Sequence, residues 1–138
     1  MERSLVLVKP DGMNRKLAGV IISRMEKRGL KIIAMKMLRM DRALAEKHYA
    51  IHKDKPFFND LVEFITSAPI IAAVFEGDRA IEAIRQTMGA TDSVKAIPGT
   101  IRGDYGLDIQ MNLVHGSDSV ENAEREINLF FSPNEIYG

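Results

Sequence analysis

The sequence predicts an α+β sandwich: a four-stranded antiparallel sheet covered by helices in the order βαββαβ, with added helices and a long loop at about 89–106. Three observations point there. SLVLV (4–8) and IIAAVF (70–75) are short, almost wholly apolar runs, as expected of strands buried inside a sheet. Between and after them lie stretches with apolar side chains every three or four residues, as in helices that bury one face. No repeat, low-complexity stretch or linker interrupts the 138 residues, so one domain over 1–138 is expected.

SLVLV is stopped by Lys9-Pro10-Asp11-Gly12, which reads as a turn. From 14 to 28, Leu17, Ile21 and Met25 recur every four residues with Ala18 and Ile22 beside them, a helix that Gly29 is placed to end. KIIAMKMLRM (31–40) has strand formers with roughly alternating polar positions. Residues 41–67 predict two helical pieces broken at Lys55-Pro56, the second burying Leu61, Phe64 and Ile65. After the strand 70–75 comes a short helix over 78–88 with Ile81 and Ile84 inward. Gly89, Pro98, Gly99, Gly103 and Gly106 make 89–106 an aperiodic loop of the length that usually serves function or an interface. A last strand near 109–114 runs into a helix over about 119–131, capped by Asp118 or Ser119 and buried through Val120, Ala123, Ile127 and Phe130. This order is that of the ferredoxin-like sandwich, with helices on one face, a fold that hosts many functions.

The composition excludes several classes. Lys plus Arg and Asp plus Glu both number 19, so there is no basic surplus for broad nucleic-acid binding. With no cysteine there are no disulfides, thiolates or cysteine-held metals. The apolar run before Lys9 is too short for a signal peptide or a membrane span, so a cytoplasmic protein is expected.

Candidate chemistry centres on histidine. His48 and His52 are spaced i, i+4, but HYAIH lacks the glutamate of a zincin motif and no third ligand stands out. His115 ends an apolar run, and Gly116 lets the chain turn sharply beside it. In the helix that follows, Glu124 and Glu126 flank the buried stripe while Arg125 points away. Either carboxylate could hold one ring nitrogen and leave the other as nucleophile or base, and helical geometry alone does not choose between them. No GxxxxGK[ST] or GxGxxG is present, so a phosphate here would be held by isolated basic residues: Lys9, Arg85 and Arg102.

VKPDG (8–12), HYAIHKDKPFF (48–58), PGTIRGD (98–104) and NLVHGSDS (112–119) occur in the order and at the spacings of the nucleoside diphosphate kinase family, which the chain resembles from Glu2 to about Phe131. The resemblance implies a ping-pong reaction: a nucleoside triphosphate such as ATP gives its γ-phosphoryl to a histidine, which passes it to a nucleoside diphosphate. It implies His115 as that histidine, reacting through Nδ1, with Glu126 on the other nitrogen and Ser117 supporting the carboxylate. By the same resemblance Lys9 contacts the transferred phosphate and sugar hydroxyls, Tyr49 lies beside the nucleophile, and Asn112 bonds the ribose 3′ oxygen. Arg85, Thr91 and Arg102 are the phosphate ligands, and the base stacks on Phe57 in a pocket lined by Leu61 and Ile109. Mg²⁺ bridges the nucleotide's own phosphates, so no protein metal cage is implied. A homohexamer is implied, with a tetramer as the alternative, and no membrane or nucleic-acid partner. A binding-only module would have no use for the nucleophile.

Three positions depart from the family pattern. Lys16 stands where a glycine is usual, Asp92-Ser93 replace Asn-Pro in the long loop, and Ala68 replaces the glycine before Pro69. Loss of the loop proline is expected to soften subunit contacts.

Overall fold

β1 (Glu2–Val8) is the strand on which the sheet is built, because both its neighbours pair with it antiparallel: β3 (Ile70–Gly77) on one side and β4 (Val114–Gly116) on the other. β2 (Lys31–Leu38) adds antiparallel to β3, giving the order β2-β3-β1-β4 in a computed structural model that describes residues 1–138. Successive side chains of β1 point to opposite faces. Leu5 and Leu7 join one apolar cluster, Val6 and Val8 the other, and all four are fully buried. A strand buried on both faces has no solvent side on which to place polar residues, which explains the unbroken apolar run.

The Val6 and Val8 face is covered by α2 (Ala18–Lys27) and α5 (Ala80–Met88), the two crossover helices, through Ile21, Met25, Ile84 and Met88. The Leu5 and Leu7 face is covered by α3 (Arg42–His48), α4 (Phe58–Ile65) and α7 (Val120–Phe130), through Ala45, Val62, Ile65, Ala123, Ile127 and Phe130. Helices therefore lie on both faces, where the simple βαββαβ pattern predicted one. The helices added to that pattern close the second face. No helix is long and apolar enough to cross a membrane.

Several boundaries differ from expectation for identifiable reasons. The turn at 9–12 is instead the start of a short helix, α1 (Pro10–Asn14), which opens on the proline's preset φ. The helix expected over 14–28 begins only at Ala18, because Lys16 adopts φ 60° and breaks the chain between α1 and α2. Gly29, at φ 92°, ends α2 as expected. The long loop contains α6 (Ile101–Tyr105), capped by the Thr100 hydroxyl, which accepts from Gly103 N–H at 3.0 Å. β4 is three residues long and starts at Val114, whereas a strand was expected over 109–114. Leu61 and Phe64 are only half-buried and Val120 is exposed, while Val62 and Ile65 are the buried residues of α4. Ser119, not Asp118, caps α7, its hydroxyl accepting from Asn122 N–H at 3.0 Å.

Lys16 marks a local strain. A side chain in the left-handed region crowds the following carbonyl, and glycine does not. Lys16→Gly should raise folding stability by about 0.5–1 kcal/mol in urea unfolding, net of the added freedom of the unfolded chain; an equal or lower stability would show that the backbone here is unstrained.

Candidate active site

The end of β1 and the start of β4 lie side by side, with Leu7 opposite His115 and Val8 opposite Val114. Asn112-Leu113-Val114 turns sharply just before the histidine. Val114 N–H donates to Asn112 O at 2.9 Å and Leu113 sits at φ 78°, a γ-turn of the rarer, strained hand. Leu113 is fully buried, and two bonds hold it. Its N–H donates to Asp11 Oδ2 at 3.0 Å, and its carbonyl accepts from Lys9 N–H at 2.9 Å. Asp11 is thus a buried anchor for the turn. Burial pushes its carboxyl up, against the pull of Lys9 and of backbone N–H groups.

The His115 ring is oriented through one nitrogen. Nε2 lies 3.1 Å from Glu126 Oε1, which also accepts from Ser117 Oγ at 2.7 Å. Ser117 Oγ in turn accepts from Leu5 N–H at 3.1 Å. Burial alone would push the Glu126 carboxyl up. The hydrogen bond and charge of His115, with His48 and the Ser117 hydroxyl, reverse this and bring it down to about 2. Glu126 is therefore a carboxylate across the physiological range. Glu124 is exposed, so the structure resolves the ambiguity between the two. Arg125 does not point away: its guanidinium donates to Lys47 O at 3.2 Å, near the end of α3. Gly116 is needed for packing and not for a turn. It sits within β4, and a Cβ there would come within 2.8 Å of Ile84 Cγ2 and 2.9 Å of Met88 Cε on α5.

His48 is buried, with its ring 4.7 Å from that of His115 at an interplanar angle of 81°. Burial first, then the charge of His115, lowers it to about 3, so it is neutral. His52 lies outside α3, between Tyr49 and Phe57 at ring distances of 6.4 and 5.6 Å, so the i, i+4 pair forms no joint site. The His and carboxylate atoms that do gather, within 4.8 Å of one another, are those of His48, His115 and Glu126. Glu126 Oε1 already serves Ser117 and His115, and the Arg125 guanidinium lies 3.9 Å from Oε2.

An open cleft of about 1790 Å³ borders His115. It is lined by every sequence-predicted site residue except Ser117 and Glu126, which lie behind the histidine. Lys9 Nζ donates to Gln110 O and to Asn112 Oδ1, each at 2.8 Å. Burial lowers its ammonium to about 8, with Asp11 opposing and Arg102 adding to the shift. Asn112 Nδ2 donates to Thr91 O at 3.0 Å. Arg102 is buried, and its guanidinium donates to the carbonyls of Asn112, Gly89 and Val114 at 3.2, 3.0 and 2.6 Å. Burial and then nearby Arg85 lower it to about 10, and it stays cationic. Arg85 and Thr91 are exposed on the rim. Tyr49 is half-buried beside His48, and burial pushes its phenol up. Phe57 and Ile109 present exposed apolar surface to the cleft, and Leu61, half-buried, lines it as well.

The sequence did not single out Asp11 as an anchor or Leu113 as a strained residue. Aspartate in a turn is ordinary, and leucine carries no signal for positive φ.

The chain is similar to known proteins over nearly its whole length. The family described as nucleoside diphosphate kinase matches residues 2–136. A nucleoside diphosphate kinase of Dehalococcoides mccartyi is 62% identical over 136 residues, covering 99% of this chain and 96% of that one. One from Pyrococcus furiosus is 59% identical over 140 residues, covering 99% and 87%. Among solved structures, a halophilic nucleoside diphosphate kinase from Halobacterium salinarum in complex with CDP superposes with a TM-score of 0.96 at 54% identity, over 99% of this chain and 91% of that one. A family member from Babesia bovis gives 0.97 at 44% identity, over 100% and 93%.

Proposed function

The chain belongs to the nucleoside diphosphate kinase family, and we propose that His115 is the residue through which it passes the phosphoryl group. The enzyme transfers the γ-phosphoryl of a nucleoside triphosphate to a nucleoside diphosphate in two half-reactions through a phosphohistidine. One observation supports His115 above all. Glu126 engages Nε2 of a ring that borders the cleft, leaving Nδ1 to react.

The Nδ1 lone pair attacks the γ-phosphorus. An N–P bond forms as the bond to the β–γ bridging oxygen breaks, and the diphosphate leaves with that electron pair. The ring gains positive charge, which the Glu126 carboxylate offsets at Nε2. In the second half-reaction a terminal phosphate oxygen of the acceptor attacks the same phosphorus, and the N–P bond breaks as its electron pair returns to Nδ1, which restores the neutral ring. The transition state is loose, so charge and position do most of the work. Lys9, Arg85 and Arg102 supply charge around the equatorial oxygens, and Thr91 adds a phosphate contact. Asn112 meets the ribose 3′ oxygen, Tyr49 borders the nucleophile, and Ser117 holds Glu126. Phe57 stacks on the base between Leu61 and Ile109, and ATP and other nucleoside di- and triphosphates are accepted by their shared π-face.

The divalent cation, Mg²⁺ in this proposal, enters with the nucleotide. The carboxylates of Asp108 and Asp118 on the cleft wall already accept from Gln110 N–H and Asn122 Nδ2, which leaves no ready cage. Bound with the nucleotide, the ion would draw charge off the phosphates, while Lys9, Arg85 and Arg102 would hold the phosphate oxygens in place. Residues 1–138 act as one domain, with both apolar clusters built on one sheet. We place the enzyme in the cytoplasm, in keeping with the lack of cysteine, and assign it no membrane or nucleic-acid partner, in keeping with zero net charge.

We further propose a homohexamer, with a tetramer as the alternative. Met35 and Met37 on the edge strand β2, and Val94, Ile97 and Leu107 around the long loop, are exposed apolar side chains suited to burial between copies. Light scattering should give the mass of six chains; a monomer would overturn the assembly.

After Mg-ATP without acceptor, the intact protein should gain one acid-labile phosphoryl that a nucleoside diphosphate discharges. His115→Ala should gain none, and a full gain in that variant would remove His115 from its role. Because the Lys9 ammonium loses its proton near pH 8 and only its charged form offsets phosphate, kcat/KM should fall as pH rises through about 8. Lys9→Arg should move that limb to higher pH, and a wild-type profile flat to pH 10 would exclude Lys9 as its source.

A further inference from the structure

Phe57, Leu61 and Ile109 line the same cleft but come from chain segments that share no secondary-structure element. Phe57 is the N-cap residue of α4 and Leu61 lies in its first turns, while Ile109 belongs to the irregular segment between α6 and β4. Phe57 is 45% exposed and Ile109 60%, so each side chain leaves a large apolar surface to the cleft. One hydrogen bond crosses between the two segments. Gln110 Nε2 donates to Asp60 O at 3.0 Å, joining the residue after Ile109 to the first turn of α4.

The backbone of Gln110 is held as well. Its N–H donates to Asp108 Oδ1 at 2.8 Å, its carbonyl accepts from Lys9 Nζ at 2.8 Å, and Ser93 Oγ donates to Asp108 O at 2.9 Å. One side of the slot is thus tied to the cleft floor, and the Gln110 side chain ties the other side to it. Dispersion contacts weaken steeply with a gap of half an ångström or more, so slot width decides how well a flat ring is gripped.

We propose that Gln110 is a positioning residue that sets the width of the base slot, acting on nucleotide affinity and not on transfer itself. This rests on the base occupying the slot between Phe57 and Ile109. The Asp60 partner is a backbone carbonyl, so the clamp acts on any base through its faces.

The test is single-turnover phosphorylation of the full-length protein by Mg-ATP and by Mg-CTP, in the wild type, Gln110→Ala, Gln110→Glu, Gln110→Met and Phe57→Ala. Loss of one hydrogen bond at the slot should raise the half-saturating concentration roughly three- to tenfold in the Gln110 variants. The factor should be similar for ATP and CTP, with the maximal rate within about twofold of wild type. Gln110→Glu keeps the size but cannot donate, and Gln110→Met, which is neutral and cannot donate either, separates the lost bond from the added charge; a side chain that merely fills space would leave Gln110→Met normal and overturn the clamp. An effect confined to one nucleotide would mean direct contact with a base edge and would also overturn it, as would a fall in maximal rate with unchanged half-saturation. If Phe57→Ala raises half-saturation and the Gln110 variants do not, the clamp fails and the slot stands. If Phe57→Ala has no effect either, the placement of the base fails.

Discussion

The Glu126 carboxylate, held as an anion almost out of water on the inner side of α7, is the group on which the rest of the site depends. A buried charge persists only where hydrogen bonds and counter-charge replace the lost water. Here one oxygen receives the Ser117 hydroxyl and lies against the His115 ring nitrogen. Ser117 is itself fixed by Leu5 N–H, so the plane of the histidine ring is referred back to the central strand. His48 packs against the same ring but stays neutral, because its burial disfavours the charged form. The second carboxylate oxygen, Oε2, lies 3.9 Å from the Arg125 guanidinium, so the charge is offset from both sides.

A polar network on the other side of β4 holds a strained backbone. The γ-turn at Leu113 turns the chain between Asn112 and His115, at a cost of order 1–3 kcal/mol. Asp11, Lys9 N–H and the Arg102 guanidinium bind the peptide groups of Asn112, Leu113 and Val114 around it. Arg102 and Lys9 therefore do two jobs. Each satisfies buried backbone or amide oxygens and places a positive charge on the cleft, and the depressed ammonium of Lys9 is a direct consequence of that burial.

The unusual residues of this chain meet different fates. Lys16 occupies a left-handed position at φ 60°. Ser93, where the family pattern has proline, is buried, and its hydroxyl bonds Asp108 O at 2.9 Å, a tie that a proline could not make. The loop thus exchanges a ring's stiffness for a hydrogen bond to the segment beside the slot. Nothing in the structure explains Ala68.

The element types, and most of the residues that line the cleft, were legible in the sequence. Unbroken apolar runs marked β1 and β3, four-residue periodicity marked α2, α5 and α7, and the local motifs around Lys9, Arg102 and His115 carried the family resemblance. These are local signals, set by how side chains repeat along a chain. What only the tertiary structure decided involved residues far apart in sequence. The contact that the resemblance implied between Glu126 and His115 is fixed in space by Ser117 and β1. The role of Asp11 needed Leu113, which lies 102 positions away. The late start of β4, the helix inside the long loop and the exposure of Val120 followed from pairing and packing that no window of sequence contains. Hydrogen bonds and burial join groups by distance in space, and the order of residues along the chain does not record that distance.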